Sequence, residues 1–161
     1  MVIKTATILV FAYDNNNIIR VLTQRRSSNE NYGNHKVEIP GGHIDSTDKS
    51  SKDGVVRELY EETGLRVNVN NVKKLFKERT HGVYHIFLDK KCNDIFIPGS
   101  IINHEEISKK APMYGEKYNN SDKRYKWYNL FDFKIDQDLW HYTKKTIYFA
   151  NKYGIFTPLL I

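Results

Sequence analysis

The chain has 161 residues, of which 40% are hydrophobic, 27% charged and 13% aromatic, and its formal net charge is +6. That length suits one domain able to bury its own core, and the lone cysteine, Cys92, excludes an intramolecular disulfide framework and a zinc site built on several thiolates. The longest apolar run, Ala6–Tyr13, is too short for a membrane helix and no small-residue cleavage site follows it, so the expectation is a cytoplasmic chain, without a membrane partner, whose basic charge favours polyanionic ligands.

No repeat or linker divides the sequence, and one domain over residues 1–161 is expected. Val2–Tyr13 is rich in β-branched and aromatic residues and stops at the polar cluster Asp14–Asn17, which predicts a strand and a turn. Ile18–Thr23 reads as the returning strand. A polar loop over Ser27–Lys36 leads to a short extended piece, Val37–Ile39, ended by Pro40-Gly41-Gly42. From Ser50 to Thr63 the apolar period becomes helical, with Ser50 and Asp53 spaced as a capping box and Gly64 as the stop. Leu65–Val69, Val72–Phe76, Val83–Leu88 and Ile95–Ile97 are predicted as strands. Residues 99–126 form a long polar stretch, and Lys126–Leu130 a further strand. Ile135–Tyr153 spaces Leu139, Tyr142, Ile147, Ala150 and Tyr153 like one helical face. The pattern predicts helices packed on a mixed sheet, an α/β class.

Chemistry concentrates in Gly41–Leu65, GGHIDSTDKSSKDGVVRELYEETGL. On a wheel of about 100° per residue, Glu58, Glu61 and Glu62 share an arc of about 100°, while Val55, Val56 and Leu59 make a separate, core-facing arc. Like charges one turn apart disfavour a helix, and a divalent cation would offset their repulsion. Mg²⁺ or Mn²⁺ prefers such hard oxygen donors and keeps waters that phosphate can replace. Arg57, four residues before Glu61, is placed to pair with it. Gly54 leaves room for backbone to approach the acidic face, and Pro40-Gly41-Gly42 is the candidate backbone, with a carbonyl turned toward the metal.

An isolated Glu-Glu pair is mostly a solvated face. The full pattern Arg-Glu-apolar-x-Glu-Glu-x-Gly-apolar, however, would arise by chance in such a chain about once in ten thousand or more rarely. These residues resemble the Nudix box of the MutT-like hydrolases, G-x5-E-x7-R-E-U-x-E-E-x-G-U with U apolar. The second half matches throughout, at Arg57, Glu58, Leu59, Glu61, Glu62, Gly64 and Leu65. In the first half Asp48 stands where the family has Glu, and a one-residue insertion near Lys49 lengthens the spacing to Arg57, giving a box over residues 42–65. Glu38-Ile39-Pro40-Gly41-Gly42 resembles the strand entering the box, with Val37 where many members carry Trp. Trp127-Tyr128-Asn129-Leu130 is similar to the family's late Trp-x-x-Leu strand.

The resemblance implies a Nudix-type α/β/α sandwich with a mixed sheet and the box as loop–helix–loop. It also implies a metal-dependent pyrophosphohydrolase that cleaves a nucleoside diphosphate-linked compound, a nucleoside or dinucleoside polyphosphate, by water attack on phosphorus. Glu58, Glu61, Glu62 and the Gly42 carbonyl would then hold Mg²⁺ or Mn²⁺, with Arg57 beside them in the catalytic group. Arg25, Glu38 and Gly41 would face substrate. An additional acid is expected from Asp48 or, in the later loop, from Glu105, Glu106 or Glu116. In that loop Lys109, Lys110, Lys117, Lys123, Arg124 and Lys126 are interleaved with Tyr114, Tyr118 and Tyr125, which suits a ligand with several phosphates and a stackable base, and equally a solvated loop. Alternative substrates are capped RNA and diphosphoinositol polyphosphates, with ADP-ribose ranked lower because its charge is modest. From another class, the alternative is a catalytically silent nucleotide-binding Nudix module. The expected partner is a phosphorylated small molecule, and a homodimer is the assembly many relatives adopt. The six histidines show no paired ligand spacing, and Cys92 has no assignable catalytic histidine.

Overall fold

The computed structural model describes residues 2–25, 36–99, 125–129 and 141–152. The β-branched run at the start forms β1 (Thr5–Tyr13), whose alternate side chains enter two different cores. Ala6, Ile8, Val10 and Ala12 face one layer, and Leu9 and Phe11 the other. The turn after β1 is organised by Asp14, whose carboxylate accepts from the Asn16 and Ile18 amides at 2.8 and 3.0 Å. The chain returns as β2 (Ile19–Arg25), and Arg20 meets the buried Asp14 at 2.8 Å.

β3 (Val37–Glu38) is the expected short extended piece, and it pairs with the end of β2. The glycines after Pro40 do not stop the strand but continue it as β4 (Gly41–His43), antiparallel to Thr5–Thr7 of β1. Gly41 permits this because a Cβ there would sit 2.2 Å from the Ala6 carbonyl oxygen. β1 is thus shared, with Phe11–Tyr13 on β2 and Thr5–Thr7 on β4, and the Ile8 amide donates to the Pro40 carbonyl at 3.0 Å between them.

α1 (Ser51–Thr63) starts at Ser50, whose hydroxyl oxygen accepts from the Asp53 amide at 3.1 Å and donates to the Asp53 carboxylate at 2.6 Å. It ends at Gly64, which takes the left-handed conformation at φ 76°. Val55 and Leu59 bury one face of the helix in the layer of Ile8, Leu22, Tyr84 and Trp127. Leu65–Val69 is not the predicted strand. Leu65 and Val67 pack on that core, while Asn68 accepts from the Asn70 amide and starts a single 3-10 turn, Val69–Asn71. The side-chain bond gives the local backbone an alternative to a ladder.

β5 (Lys73–Glu78) and β6 (His81–Phe87) form a hairpin, and β6 runs parallel to β1, which makes the sheet mixed. Ile95–Ile97 is likewise no strand. A 3-10 turn at Cys92–Asp94 precedes it, and Ile97 is buried as a loop residue. β7 (Tyr125–Asn129) adds to the other edge of β2. The sheet order is β3-β2-β1-β6-β5, with β4 on β1 and β7 on β2. α2 (His141–Lys152) covers the second face, burying Ile147 and Ala150 with Leu9, Phe11, Val21 and Tyr128. The buried stripe of α2 is Thr143, Ile147 and Ala150, spaced i, i+4, i+7, so Tyr142 lies outside it and is exposed. Two helices on opposite faces of one mixed sheet give the expected α/β/α sandwich. Among the described residues no helix is long and apolar enough to cross a membrane.

Candidate active site

Arg57 organises the loop and helix of the acidic segment. Its Nε and Nη2 each donate to the Asp48 carboxylate at 3.0 Å, Nη2 also to the His43 carbonyl at 2.9 Å, and Nη1 to Glu58 and Glu61 at 3.2 and 3.0 Å. Asp45 lies 3.3 Å away as a further partner. The hydrogen bond to Asp48, ahead of the nearby Glu58 and Glu61 charges, holds the guanidinium firmly protonated, and the same bond holds Asp48 below the ordinary carboxylate range. Asp48 thus ties the loop to the helix despite its shorter side chain and the inserted residue. What approaches Gly54 is not the backbone of residues 40–42 but this loop. A Cβ on Gly54 would meet Ile44 Cδ1 at 2.7 Å and Asp48 Oδ2 at 2.8 Å. The Gly42 backbone comes instead against Glu58, so that a Cβ there would lie 2.5 Å from the Glu58 carboxyl carbon.

Glu62, one turn after Glu58, points to the strand side. Its Oε2 accepts from the Gly41 amide at 2.9 Å and from Gln24 Nε2 at 3.0 Å. Gln24 also donates to Glu38 at 3.2 Å. Burial pushes the Glu62 carboxyl up to about 8, with the Glu38 and Glu58 charges adding to the rise and the Gly41 and Gln24 donors opposing it. Burial also raises Glu58, against the lowering pull of Arg57. The structure therefore gathers Arg57, Glu58, Glu61, Glu62, Asp48, Glu38, Gly41 and Gly42 around the start of β4.

Segment 38–43 separates this cluster from a cavity of about 820 Å³ between the sheet and α2. Glu38, Gly41 and Gly42 line it, whereas Glu58, Glu61 and Glu62 do not. Its sheet side carries Thr5, Thr7 and His81, and the two threonine hydroxyls lie 2.7 and 3.3 Å from the His81 ring nitrogens. Phe76, Tyr142 and Phe149 supply aromatic walls.

Arg25 is not brought into the cluster. It ends β2 opposite Val37, and strand alternation sends it to the face away from Gln24 and α1. Glu105, Glu106 and Glu116 lie outside the described residues, as do Lys109, Lys110, Lys117, Lys123, Arg124, Tyr114 and Tyr118. Tyr125 and Lys126, read as loop groups for a ligand, are instead buried in β7, where the Tyr125 hydroxyl donates to the Glu62 carbonyl and Lys126 lies over the Tyr128 ring. Cys92 is buried and its thiol is pushed up to about 12, chiefly by that burial, which makes it a poor nucleophile. Gln24 and the cavity residues of α2 were not legible as site residues. The one signal for Gln24 was an amide placed two residues after Leu22, on the face of a strand that should be apolar.

A family model described as the NUDIX domain matches residues 3–139. The chain belongs to the Nudix family. It is 38% identical over 64 residues to a MutT-like protein of Streptomyces ambofaciens, a match spanning 40% of this chain and 38% of that relative. Among solved Nudix structures, it is similar in fold to the NUDIX domain of Shewanella oneidensis NrtR, solved with ADP ribose (TM-score 0.60, 19% identity, 94% of this chain and 88% of that one). It is also similar to RenU, a Nudix hydrolase of M. smegmatis (TM-score 0.59, 14% identity, 95% and 86%). A MutT/nudix family protein of Enterococcus faecalis overlaps 80% of this chain and 44% of its own at TM-score 0.54 and 18% identity.

Nudix hydrolases generally need a divalent metal, so the fit of these residues to one matters. The donors are all oxygen, and the burial that raises Glu58 and Glu62 works together with mutual repulsion that a cation would relieve. In kind and charge the Nudix carboxylates therefore fit a hard cation. As placed, however, no three acidic, histidine or cysteine side chains among the described residues converge to hold a metal. Arg57 holds Glu58 and Glu61, while Gln24 and the Gly41 amide hold Glu62 by one oxygen.

Proposed function

We propose that this Nudix domain is a pyrophosphohydrolase of nucleoside diphosphate-linked compounds, with nucleoside or dinucleoside polyphosphates as its substrates. The observation that carries the reading is the shared wall, in which Glu38, Gly41 and Gly42 border both the carboxylate cluster and the 820 Å³ cavity. A nucleoside in the cavity would present its phosphates at the edge where the carboxylates gather. Glu58, Glu61, Glu62 and the Gly42 carbonyl would hold Mg²⁺ or Mn²⁺. Such an ion supplies charge neutralisation for the polyphosphate and an acidified water. Arg57 keeps Glu58 and Glu61 in place, and Asp48 anchors Arg57. Segment 38–43 fixes the distance between nucleoside and carboxylates.

The lining favours a nucleoside over a diphosphoinositol polyphosphate. Among the described lining residues the lysines and arginines are Arg79 and Lys145, and Lys145 is paired with Glu78 at 3.1 Å. The aromatic and threonine–histidine walls suit a base and ribose better than a ring covered in phosphates. The test is a panel of nucleoside triphosphates, dinucleoside polyphosphates, ADP-ribose, capped RNA and diphosphoinositol polyphosphates, incubated with Mg²⁺ and with Mn²⁺ and read by product mass. Nucleoside monophosphate released from the first two groups supports the reading. Release of a cap nucleotide or of inositol phosphate alone would transfer it to those substrates. Tight nucleotide binding with no product from any compound would make the domain a silent binding module.

A further inference from the structure

We propose that Gln24 is a positioning residue of the acidic site, its amide clamping Glu38 and Glu62 into one arrangement before a divalent cation arrives. This rests on the reading of Glu62 as a cation ligand. Gln24 is 1% exposed and sits where three strands meet, registered with Glu38 of β3 on one side and Tyr125 of β7 on the other. Leu22 lies in the core under α1, so Gln24, two residues on, projects to the same face. A side-chain amide has two N–H hydrogens, and Nε2 is within reach of Glu38 Oε1 at 3.2 Å and Glu62 Oε2 at 3.0 Å. Both donors of one nitrogen are then committed to carboxylates on different elements, one on a strand and one on the last turn of α1.

The amide oxygen shows how strongly this orientation is imposed. Gln24 Oε1 is buried and has no hydrogen-bond partner among the described residues. A buried carbonyl oxygen without a donor is unfavourable, yet turning the amide over would give up both N–H donations, to Glu38 and to Glu62. The carboxylates thus fix the amide, and the amide in return fixes them. The Gly41 amide donates to the same Glu62 oxygen, Oε2, at 2.9 Å. Both bonds fall on Oε2, and Oε1 is the oxygen left untied by them. A carboxylate held at one oxygen and presented through the other resembles an anchored metal ligand, whose rotamer entropy is lost on folding rather than on binding. The Gly41 amide, donating to the same Glu62, ties the segment after Ile39-Pro40 to α1.

Three measurements on metal-free protein separate the possibilities: Mn²⁺ affinity from the free-ion electron paramagnetic resonance signal, thermal melting, and circular dichroism. Gln24→Met keeps the length and removes the donors, while Gln24→Asn keeps the amide but is too short to reach both carboxylates. Each is expected to weaken Mn²⁺ binding about 10–100-fold while the metal-free protein still folds. Wild-type affinity in a folded Gln24 variant, or loss of folding in both, overturns the proposal and leaves Gln24 a core residue. Glu62→Gln is run beside them. If it binds Mn²⁺ as wild type does, the reading of Glu62 as a ligand fails, whatever the Gln24 variants show.

Discussion

Arg57 spends its guanidinium on Asp48, Glu58, Glu61 and the His43 carbonyl together, which a lysine cannot reproduce because an ammonium is a point charge without a planar fork. Arg57→Lys is expected to lower stability by about 1–3 kcal/mol, read as a shift in the urea midpoint of the metal-free protein. An unshifted midpoint would mean that the four contacts are not maintained in solution. His81 gives a residue-level prediction of a different kind. Burial holds its imidazole below the ordinary value of 6.5, against the raising pull of Glu78. As pH falls the unfolded ring therefore takes up its proton before the folded one does. The stability His81 contributes is present above about pH 6.5 and is lost as the pH falls toward the lower folded value. His85, also held low by burial, adds the same sign. His81→Gln should accordingly reduce, not abolish, the fall in urea midpoint between about pH 7.5 and pH 5. An unchanged slope would show that the ring is solvated in the folded protein.

The helix and its loop behave as one element. Gly54 lies inside α1, where replacing glycine by alanine ordinarily stabilises a helix by about 1 kcal/mol. Here the new Cβ would sit 2.7 Å from Ile44 Cδ1 and 2.8 Å from Asp48 Oδ2. The isoleucine tip can yield, but Asp48 is held by two guanidinium bonds, and overpacking of this kind costs about 1–3 kcal/mol. The second effect should win. Gly54→Ala is expected to be destabilising by about 1 kcal/mol, and a stabilised variant would show that the Asp48–Arg57 clamp gives way freely. At the same scale the start and stop of α1 were legible, because Ser50, Asp53 and Gly64 act on neighbouring backbone. Leu65–Val69 and Ile95–Ile97 form no strand where their apolar residues predict one. Their apolar residues do pack inward, as Leu65, Val67, Ile95 and Ile97 show, but burial alone does not supply a strand partner. The glycines of β4 failed in the opposite direction, since the absence of side chains, which weakens a strand in isolation, is what lets β4 approach β1.

Across the whole molecule, the acidic cluster and the cavity lie on either side of one strand segment, so each can be tested without the other. Glu61→Gln and Glu62→Gln are expected to abolish metal-dependent hydrolysis while circular dichroism and nucleotide binding in the cavity persist. Near-normal turnover by both variants would remove these glutamates from the chemistry, and so would full activity after exhaustive chelation. The sequence by itself determined the helices on a mixed sheet, the capped acidic helix and the resemblance to the family. These follow from periodicity and from residues near one another in the chain: Arg57 and Glu61 are one turn apart, and Val55 and Leu59 share a face. Only the tertiary structure decided that Gln24 stands between Glu38 and Glu62, that Asp48 reaches Arg57 across the inserted residue, and that His81 joins Thr5 and Thr7 under α2. Those contacts depend on strand register and on the β1–β4 approach, and neither is encoded by spacing along the chain. The same division applies to the charge. A net of +6 favours anionic ligands in general, whereas the fold sets the carboxylates across one strand segment from an aromatic-walled cavity, the arrangement on which the proposal of a nucleoside-carrying anion rests.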